Sequence, residues 1–206
     1  MLQLSAIDTA TLELLRQLMC FDEFSGLRLA GGTALSLQKG HRRSVDLDLF
    51  GEIEFERVDT VNTFSGFKNV AVLKNSKNIN IYSIEGIKVD FVNYSYPWLE
   101  EYLLTEGIRL AGTKDIAAMK LAAITGRGSK KDFTDIYFLL QEYSLKEMMG
   151  FYNQKYFDGS EFLVLKSLAY FADAEKDADL DMLVQVSWDK IKSTILDHLH
   201  RYNMEL

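Results

Sequence analysis

Short runs in which apolar and polar residues alternate occupy much of the first hundred positions, a pattern that predicts β-strands. The clearest run is 45–50, where apolar and acidic residues alternate strictly. Because successive side chains of a strand point to opposite faces, this run predicts a strand with one buried face and with Asp46 and Asp48 on the other. Further strands are predicted at 27–30 and 69–74, and helices at 5–21 (opened by a capping box of Ser5 and Asp8), 33–38 and 58–64.

A β-hairpin is predicted from two apolar-rich runs, 79–84 and 87–92. Between them stands Glu85-Gly86, a two-residue turn of the kind that joins antiparallel strands. A further short run, 108–110, is predicted to be either one more strand or part of a linker.

From residue 113 onward the apolar positions recur at three- and four-residue spacing, which predicts helices. These helices are expected at 113–126, at 132–143, after a capping box of Ser144 and Glu147, at 161–172 and at 180–199. The chain is therefore predicted to have an α+β fold. A mixed sheet flanked by helices over residues 1–105 would be followed by a helical bundle over residues 106–206.

The composition is that of a globular protein, with 48% hydrophobic residues, 26% charged residues and 1 proline. No apolar run approaches the roughly 18 residues of a membrane span, and the N-terminus lacks the pattern of a secretory signal. A cytoplasmic location without membrane contact is therefore expected. The single cysteine, Cys20, excludes an internal disulfide and a CxxC metal site.

The distribution of charge bears on the partners of the chain. A formal net charge of -7 disfavours binding of long duplex nucleic acid over the whole surface, because phosphate neutralisation needs a positive face. Two basic islands stand out, at 39–43 and 114–131. Such islands suggest a compact anionic ligand such as a triphosphate, although chance clustering on a solvated surface explains either island alone.

A strand that runs directly into Gly31-Gly32 and then into a helix opening at Thr33 is a candidate phosphate site. The start of a helix presents backbone N–H groups and a positive dipole end, and glycine lets a ligand approach the main chain closely. Most Gly-Gly pairs are only tight turns, so this signal is weak by itself.

Three acidic residues are candidate metal ligands. Asp46 and Asp48 would project from one strand face about 6.5–7 Å apart, where their oxygens could bind Mg²⁺. For this pair taken alone, a solvated acidic face is the favoured interpretation. Asp90 lies in a strongly apolar run, and a buried carboxylate needs a partner. That partner would be a metal ion or a nearby lysine or arginine, unless Asp90 is exposed on an edge strand.

Taken in order, these motifs resemble the nucleotidyltransferases of the DNA polymerase β-like superfamily. Within it, the chain is similar to the AbiEii/AbiGii toxin family of toxin–antitoxin and phage-abortive systems. One departure is Gly31-Gly32, where many members of the superfamily have Gly-Ser. The resemblance covers roughly residues 25–143 and rests on Gly31-Gly32-Thr33-Ala34-Leu35, Val45-Asp46-Leu47-Asp48-Leu49-Phe50, Lys120-Leu121-Ala122-Ala123-Ile124 and Lys131-Asp132-Phe133-Thr134-Asp135.

The resemblance implies transfer of a nucleoside monophosphate from an NTP to an acceptor, with RNA and in particular tRNA as the expected acceptor. It also implies a toxin role, a cognate antitoxin, and a cleft that the helical domain completes. The site residues that it implies are Asp46, Asp48 and Asp90 for a two-metal Mg²⁺ site, Gly31, Gly32, Thr33 and Arg43 for the nucleotide, Lys120 for the nucleotide and the pyrophosphate charge, and Asp132 to orient Lys120 or Arg127.

Alternatives stay open at this point. The missing serine and the acidic surface allow a catalytically idle module that binds a nucleotide or a partner protein, and a small-molecule nucleotidyltransferase of the antibiotic-modifying type is a further option. Asp132 could instead be a helix N-terminal charge favoured by the dipole. Arg42 and Arg43 could contact phosphate or be plain surface charge, and His41, His198 and His200 are predicted to lie at the surface.

Overall fold

Seven strands form one mixed sheet in the computed structural model, which describes residues 2–205 apart from the Arg57 side chain. Their order across the sheet is β3-β4-β5-β2-β1-β7-β6. The pairs β2/β5 and β1/β7 are parallel and the others antiparallel. The strands are β1 (Leu27–Leu29), β2 (Leu47–Gly51), β3 (Val70–Lys74), β4 (Ile79–Ile84), β5 (Ile87–Asn93), β6 (Leu103–Thr105) and β7 (Ile108–Leu110).

The α-helices are concentrated in the second half of the chain, as the change of apolar spacing predicts. The α+β class is confirmed. The helices are α1 (Thr9–Met19), α2 (Gly31–Lys39), α3 (Thr60–Thr63), α4 (Thr113–Gly126), α5 (Lys130–Leu139), α6 (Leu145–Lys155), α7 (Glu161–Leu168) and α8 (Trp188–Met204), and short 3₁₀ turns lie at Leu4–Ala6, Asp22–Phe24, Phe55–Arg57 and Ala174–Lys176.

The chain divides into two units, each made of discontinuous segments. One comprises residues 2–38, 44–96 and 102–111 and contains the sheet; the other comprises 39–43, 97–101 and 112–205 and contains α4–α8. The division of the chain into one domain over residues 1–105 and another over residues 106–206 stays a prediction. Among residues 2–205, none of the helices combines the length and apolar character that crossing a membrane requires.

Local sequence signals account for the hairpin of the sheet unit. Glu85 and Gly86 have φ angles of 51° and 84°, the left-handed conformation that a two-residue turn needs to match the strand twist. The flanking residues Ile84 and Ile87 pair directly, and the ladder continues to Ile79 and Val92. The hairpin prediction is confirmed. The run at 108–110 is a strand, and β6 is an additional strand that pattern reading missed.

Several predicted boundaries are wrong, for identifiable reasons. Helix α1 begins after Asp8, whose side chain accepts a hydrogen bond from Thr11 N at 2.9 Å, so Ser5 is not part of its cap. Strand β2 begins at Leu47, where pairing with β5 starts, and Val45 is 62% exposed rather than buried. The last helix begins at Trp188 because Ser187 caps it, and residues 180–187 lie outside it.

In the helical unit, the capping box of Ser144 and Glu147 is confirmed at the start of α6. The end of the same helix carries Lys155, which is fully buried and donates to Asp115 Oδ1 at 2.6 Å and to the Pro97 carbonyl at 2.7 Å. Asp115 is equally buried and accepts from the backbone N–H groups of Leu99 and Glu100. This ion pair therefore fixes segment 97–101 onto the helices of its own unit.

We expect Lys155→Met to reduce the free energy of unfolding by about 3–5 kcal/mol, because it leaves a buried carboxylate without its cation. Adding Asp115→Asn should restore part of the loss, since asparagine keeps an acceptor but carries no charge. Urea denaturation followed by circular dichroism measures both. Lys146→Met is the matched control at an exposed ion pair, with an expected change of at most about 1 kcal/mol. Equal effects of Lys155→Met and Lys146→Met would contradict the assignment.

Candidate active site

Two acidic residues lie side by side on the half-buried face of the sheet. The buried positions Leu47 and Leu49 alternate with Asp48 along β2, and Asp48 is the register partner of Asp90 on the adjacent parallel strand β5. Register partners of neighbouring strands project from the same face, and the strands are about 4.8 Å apart. Two carboxylates that are distant in sequence are therefore neighbours in the fold.

The start of helix α2 lies directly against Asp48. Ala30 N donates to the Asp48 carbonyl at 2.8 Å, and the helix begins at the next residue, Gly31. Gly31 has a φ angle of 64°, and a Cβ at this position would overlap the Asp48 carboxylate. Glycine is required here for both reasons, and the first-turn N–H groups of α2 have no acceptor within the helix.

The Thr33 hydroxyl is engaged by the protein itself. It lies 2.7 Å from Ser44 Oγ and donates to the Asp46 carbonyl oxygen, and the Thr33 side chain is buried. It therefore holds segment 44–46 in front of strand β2. This contact occupies the hydroxyl that could have replaced the missing serine, so phosphate binding at α2 stays a prediction that rests on its first-turn backbone N–H groups.

The structure brings together two of the three predicted metal ligands. Asp48 and Asp90 are register partners, whereas Asp46 is half-buried and precedes β2. Across residues 2–205, no three His, Cys, Asp or Glu side chains are grouped closely enough to hold a metal ion. Asp90 is paired with Lys88, whose Nζ lies 2.5 Å from Asp90 Oδ1, so it has a salt bridge of the kind that the sequence left open. The three-ligand metal assignment stays a prediction.

In the helical unit, Lys120 and Asp132 belong to a buried cluster, here called the ion cluster: His41, Arg42, Lys120, Arg127, Ser129, Asp132 and Asp135. Lys120 Nζ lies 3.0 Å from Asp132 Oδ1 and 2.6 Å from Asp135 Oδ2, and all three side chains are buried. Burial alone would lower the pKa of Lys120, but the charges of Asp135 and Asp132 outweigh it and raise that pKa. Lys120 is therefore a charged lysine between two carboxylates.

Asp132 is surrounded by donors at the start of α5. Arg127 Nε donates to its Oδ2 at 2.7 Å and Ser129 Oγ donates to the same oxygen at 2.6 Å. Burial would raise the pKa of Asp132, but the Lys120 charge and the Arg127 and Ser129 hydrogen bonds hold it well below the ordinary value. Asp132 thus contacts both of the cations that the sequence suggested it could orient.

Asp135 is the carboxylate of the ion cluster to which sequence reasoning assigned no role. It accepts from Arg42 Nε at 2.7 Å and Nη2 at 2.8 Å, and His41 Nε2 lies 2.8 Å from Oδ1. Burial would raise the pKa of Asp135, but the charges of Lys120 and Arg42 and the hydrogen bonds from His41 and Arg42 lower it strongly. The signal for Asp135 was its i, i+3 spacing from Asp132, which puts both on one helix face.

The surface position predicted for His41 is wrong, and the alternative of plain surface charge for Arg42 is excluded by its burial. His41 is fully buried, with its ring centroid 4.7 Å from that of Phe138, and Arg42 is buried against Asp135. Both sit in segment 39–43, which the sequence marks only as a basic island. His198 is half-buried and His200 exposed on α8.

The two basic islands are largely compensated by acidic partners in their own unit. Arg43 is the most exposed cation of the first island, at 59%, and its Nε lies 3.5 Å from Asp181 Oδ2. The islands therefore present much less positive charge than their sequences suggest. Further pairs are Lys39–Glu142, Arg42–Asp135, Lys114–Glu100, Lys120–Asp132, Arg127–Asp132 and Lys130–Asp179.

Comparison with known proteins identifies the family. The family described as "Nucleotidyl transferase AbiEii toxin, Type IV TA system" matches residues 13–203. The chain belongs to this family. It is therefore a nucleotidyltransferase, and the resemblance read from the sequence is confirmed. An AbiEii relative of similar length is protein aq_aa25 of Aquifex aeolicus (strain VF5), described as uncharacterized, which is 39% identical over 170 residues, 80% of this chain and 82% of that one.

Solved structures similar to this AbiEii protein share its fold at low sequence identity. A candidate nucleotidyltransferase from H. pylori matches with a TM-score of 0.60 and 17% identity over 95% of this chain and 91% of that one. The nucleotidyltransferase toxin MenT4 of Mycobacterium tuberculosis H37Rv matches with a TM-score of 0.60 and 13% identity over 92% and 81%. These likenesses confirm the nucleotidyltransferase-like fold.

Gly31→Ala should destabilise the protein by roughly 1–2 kcal/mol through its left-handed backbone alone, and should displace the Asp48 carboxylate as well. Urea denaturation gives the loss of stability. Gly66→Ala is the matched control, because a Cβ there has no neighbour within 4 Å. Its change should stay within about 1 kcal/mol in either direction. If the two variants are equally stable, the close approach of Gly31 to Asp48 is not a constraint on the fold.

The ion cluster predicts a specific dependence of stability on pH. Because the pKa of Asp135 is lower in the folded protein than its unfolded value near 3.9, its stabilisation is complete above that value and is lost as pH falls toward the folded pKa. We expect the wild-type free energy of unfolding to fall steeply below about pH 5. Asp135→Asn should start about 3–5 kcal/mol lower at pH 7 and fall less steeply.

Guanidinium denaturation at pH 3.5–7 measures these curves. Asp197→Asn, a neutralising change at an exposed position of α8, is the control and should keep the wild-type slope. Parallel curves for wild type and Asp135→Asn would show that Asp135 does not contribute to acid sensitivity.

Proposed function

We propose that this AbiEii protein transfers a nucleoside monophosphate from an NTP to an RNA acceptor, tRNA in particular, in a Mg²⁺-dependent reaction, and that it acts as the toxin of a pair with a cognate antitoxin. The observation that carries the proposal is the register of Asp48 with Asp90 beside the Gly31 start of α2. Carboxylate oxygens and helix N–H groups at one place are the donors that a metal–triphosphate complex needs.

The residues present fit a divalent metal ion. Asp48 and Asp90 offer hard oxygen ligands on two rigid strands, and the absence of a side chain at Gly31 lets the Asp48 carboxylate lie against the start of α2. We assign these two residues to the metal; Asp46, which precedes β2 and is not grouped closely with them among the described residues, stays the predicted third ligand. When bound, Mg²⁺ neutralises triphosphate charge and lowers the pKa of the attacking hydroxyl.

The chain supplies the remaining contacts to the nucleotide. The backbone N–H groups of Gly31, Gly32 and Thr33 lie in the first turn of α2 and would donate to phosphate oxygens. Arg43, more than half exposed, is assigned to the same anion. Since the Thr33 hydroxyl is bound to Asp46 O, phosphate recognition at this helix rests on the main chain.

Lys120 is assigned to the charge that builds up on pyrophosphate, and Asp132 to orienting Lys120 or Arg127. Lys120 is too enclosed by Asp132 and Asp135 to move without breaking two ion pairs, so Asp132 acts as a positioning residue. Arg127 is 58% exposed and shares Asp132, which makes it the cation of the ion cluster best able to meet an anion from solvent. The arginine and lysine side chains of the cluster (Arg42, Lys120 and Arg127) outnumber its two carboxylates, which favours an anion at its exposed edge.

The test is incorporation of label from each α-³²P NTP into total bacterial RNA by the full-length protein with Mg²⁺. We expect a labelled band of tRNA size, which Asp48→Asn and Asp90→Asn each weaken by more than about 100-fold, because each removes a ligand charge from the reacting centre. Asp197→Asn is the matched neutralising control and should keep full activity.

The outcomes separate the candidate functions. Label on aminoglycosides with none on RNA would replace the RNA acceptor by a small molecule. Calorimetric binding of NTP with no pyrophosphate release and no label on RNA, protein or aminoglycoside would favour the idle binding module. Full activity of a folded Asp48→Asn variant would remove the metal assignment.

A further inference from the structure

Lys88 forms a salt bridge with Asp90, one of the proposed metal ligands. Lys88 stands two residues before Asp90 on β5, so both side chains project from the same sheet face. Its Nζ lies 2.5 Å from Asp90 Oδ1, with the Lys88 side chain 43% exposed and that of Asp90 18%. The ammonium thus lies on a carboxylate oxygen that the proposed function assigns to Mg²⁺.

The neighbouring strands explain why a cation is needed there. Asp48 is the register partner of Asp90 on one side, and uncharged Ile81 is its partner on the other. Like charges on neighbouring strands repel, and neither Ile81 nor Ser83, the partner of Lys88, carries a compensating charge. Lys88 places a positive charge beside Asp90 in this pair.

The Lys88 ammonium can also be displaced from Asp90. It is a single charge on a flexible four-carbon stem, and its half-exposed position allows water to replace Asp90 as its partner. A divalent ion carries twice the charge and can contact both Asp48 and Asp90, which one ammonium on Asp90 Oδ1 does not do.

We propose that Lys88 competes with a divalent metal ion for Asp90. The metal ion must displace the lysine, so the ion pair lowers the metal affinity of the site. The inference rests on the proposed function, because it takes Asp48 and Asp90 to be the metal ligands. Lys88 is a positioning residue in this scheme, since it acts through Asp90. Apparent metal affinity is reduced by the fraction of molecules in which Asp90 is paired.

The experiment is a calorimetric titration of Mn²⁺ into the full-length protein without nucleotide. Lys88→Met should bind Mn²⁺ about two- to fivefold more tightly than wild type, the range expected for loss of a competing, partly exposed ion pair. Lys88→Arg should keep the wild-type affinity, because it retains the cation. In an Asp90→Asn background, Lys88→Met should change nothing further.

Lys74→Met is the matched control. Lys74 pairs in register with Ile81 and so lies in the same row of the sheet face as Asp90, but two strands away. Its loss removes the same charge without touching the carboxylate, and should leave the Mn²⁺ affinity within about 1.5-fold of wild type.

The inference and the proposed function fail in different ways. If wild type binds Mn²⁺, Asp48→Asn abolishes binding, and Lys88→Met binds no more tightly than wild type, the inference is overturned and the metal site stands. Equal tightening by Lys74→Met would also overturn it, because bulk charge would then be the cause. If wild type binds no Mn²⁺, or Asp48→Asn binds it as well as wild type, both are overturned.

Discussion

The parallel ladder between β2 and β5 brings Asp48 and Asp90 to the same level of the sheet. Buried leucines on β2 and Val89 and Phe91 on β5 fix this register, because a slip by one residue would turn the acidic positions into the core. The candidate site is thus a consequence of hydrophobic burial on the opposite face. Neither carboxylate would have a defined neighbour without it.

The carboxylates of the two units have cation partners in different surroundings. In the sheet unit, the paired carboxylates are partly solvated, and Asp90 forms an ion pair with the partly exposed Lys88. In the helical unit, Asp132 and Asp135 are sealed from solvent and receive arginine and lysine side chains with many hydrogen bonds. A partly solvated carboxylate can exchange one cation partner for another. A buried ion pair cannot do so readily, because separating it would leave a desolvated charge without a partner.

What could be read from the sequence depended on how local each signal is. The Glu85-Gly86 turn and the Ser144 cap were predictable because the residues that decide them are adjacent or three apart. The burial of His41 could not be predicted, because its partner Asp135 lies 94 residues away in the sequence. Without knowledge of that contact, a basic run is predicted to lie at the surface. The predicted start of β2 was wrong for a similar reason. The alternation of apolar and polar residues extends back to Val45, but pairing with β5 begins only at Leu47.

The discontinuity of the helical unit bears on how such a protein can be cut, fused or permuted. Segment 39–43 lies between two parts of the sheet unit, yet it supplies His41 and Arg42 to Asp135. A fragment that began at residue 112 would keep every helix from α4 to α8 and still lack these donors. The helical half is therefore not a portable module: its charged interior is completed by residues encoded before most of the sheet.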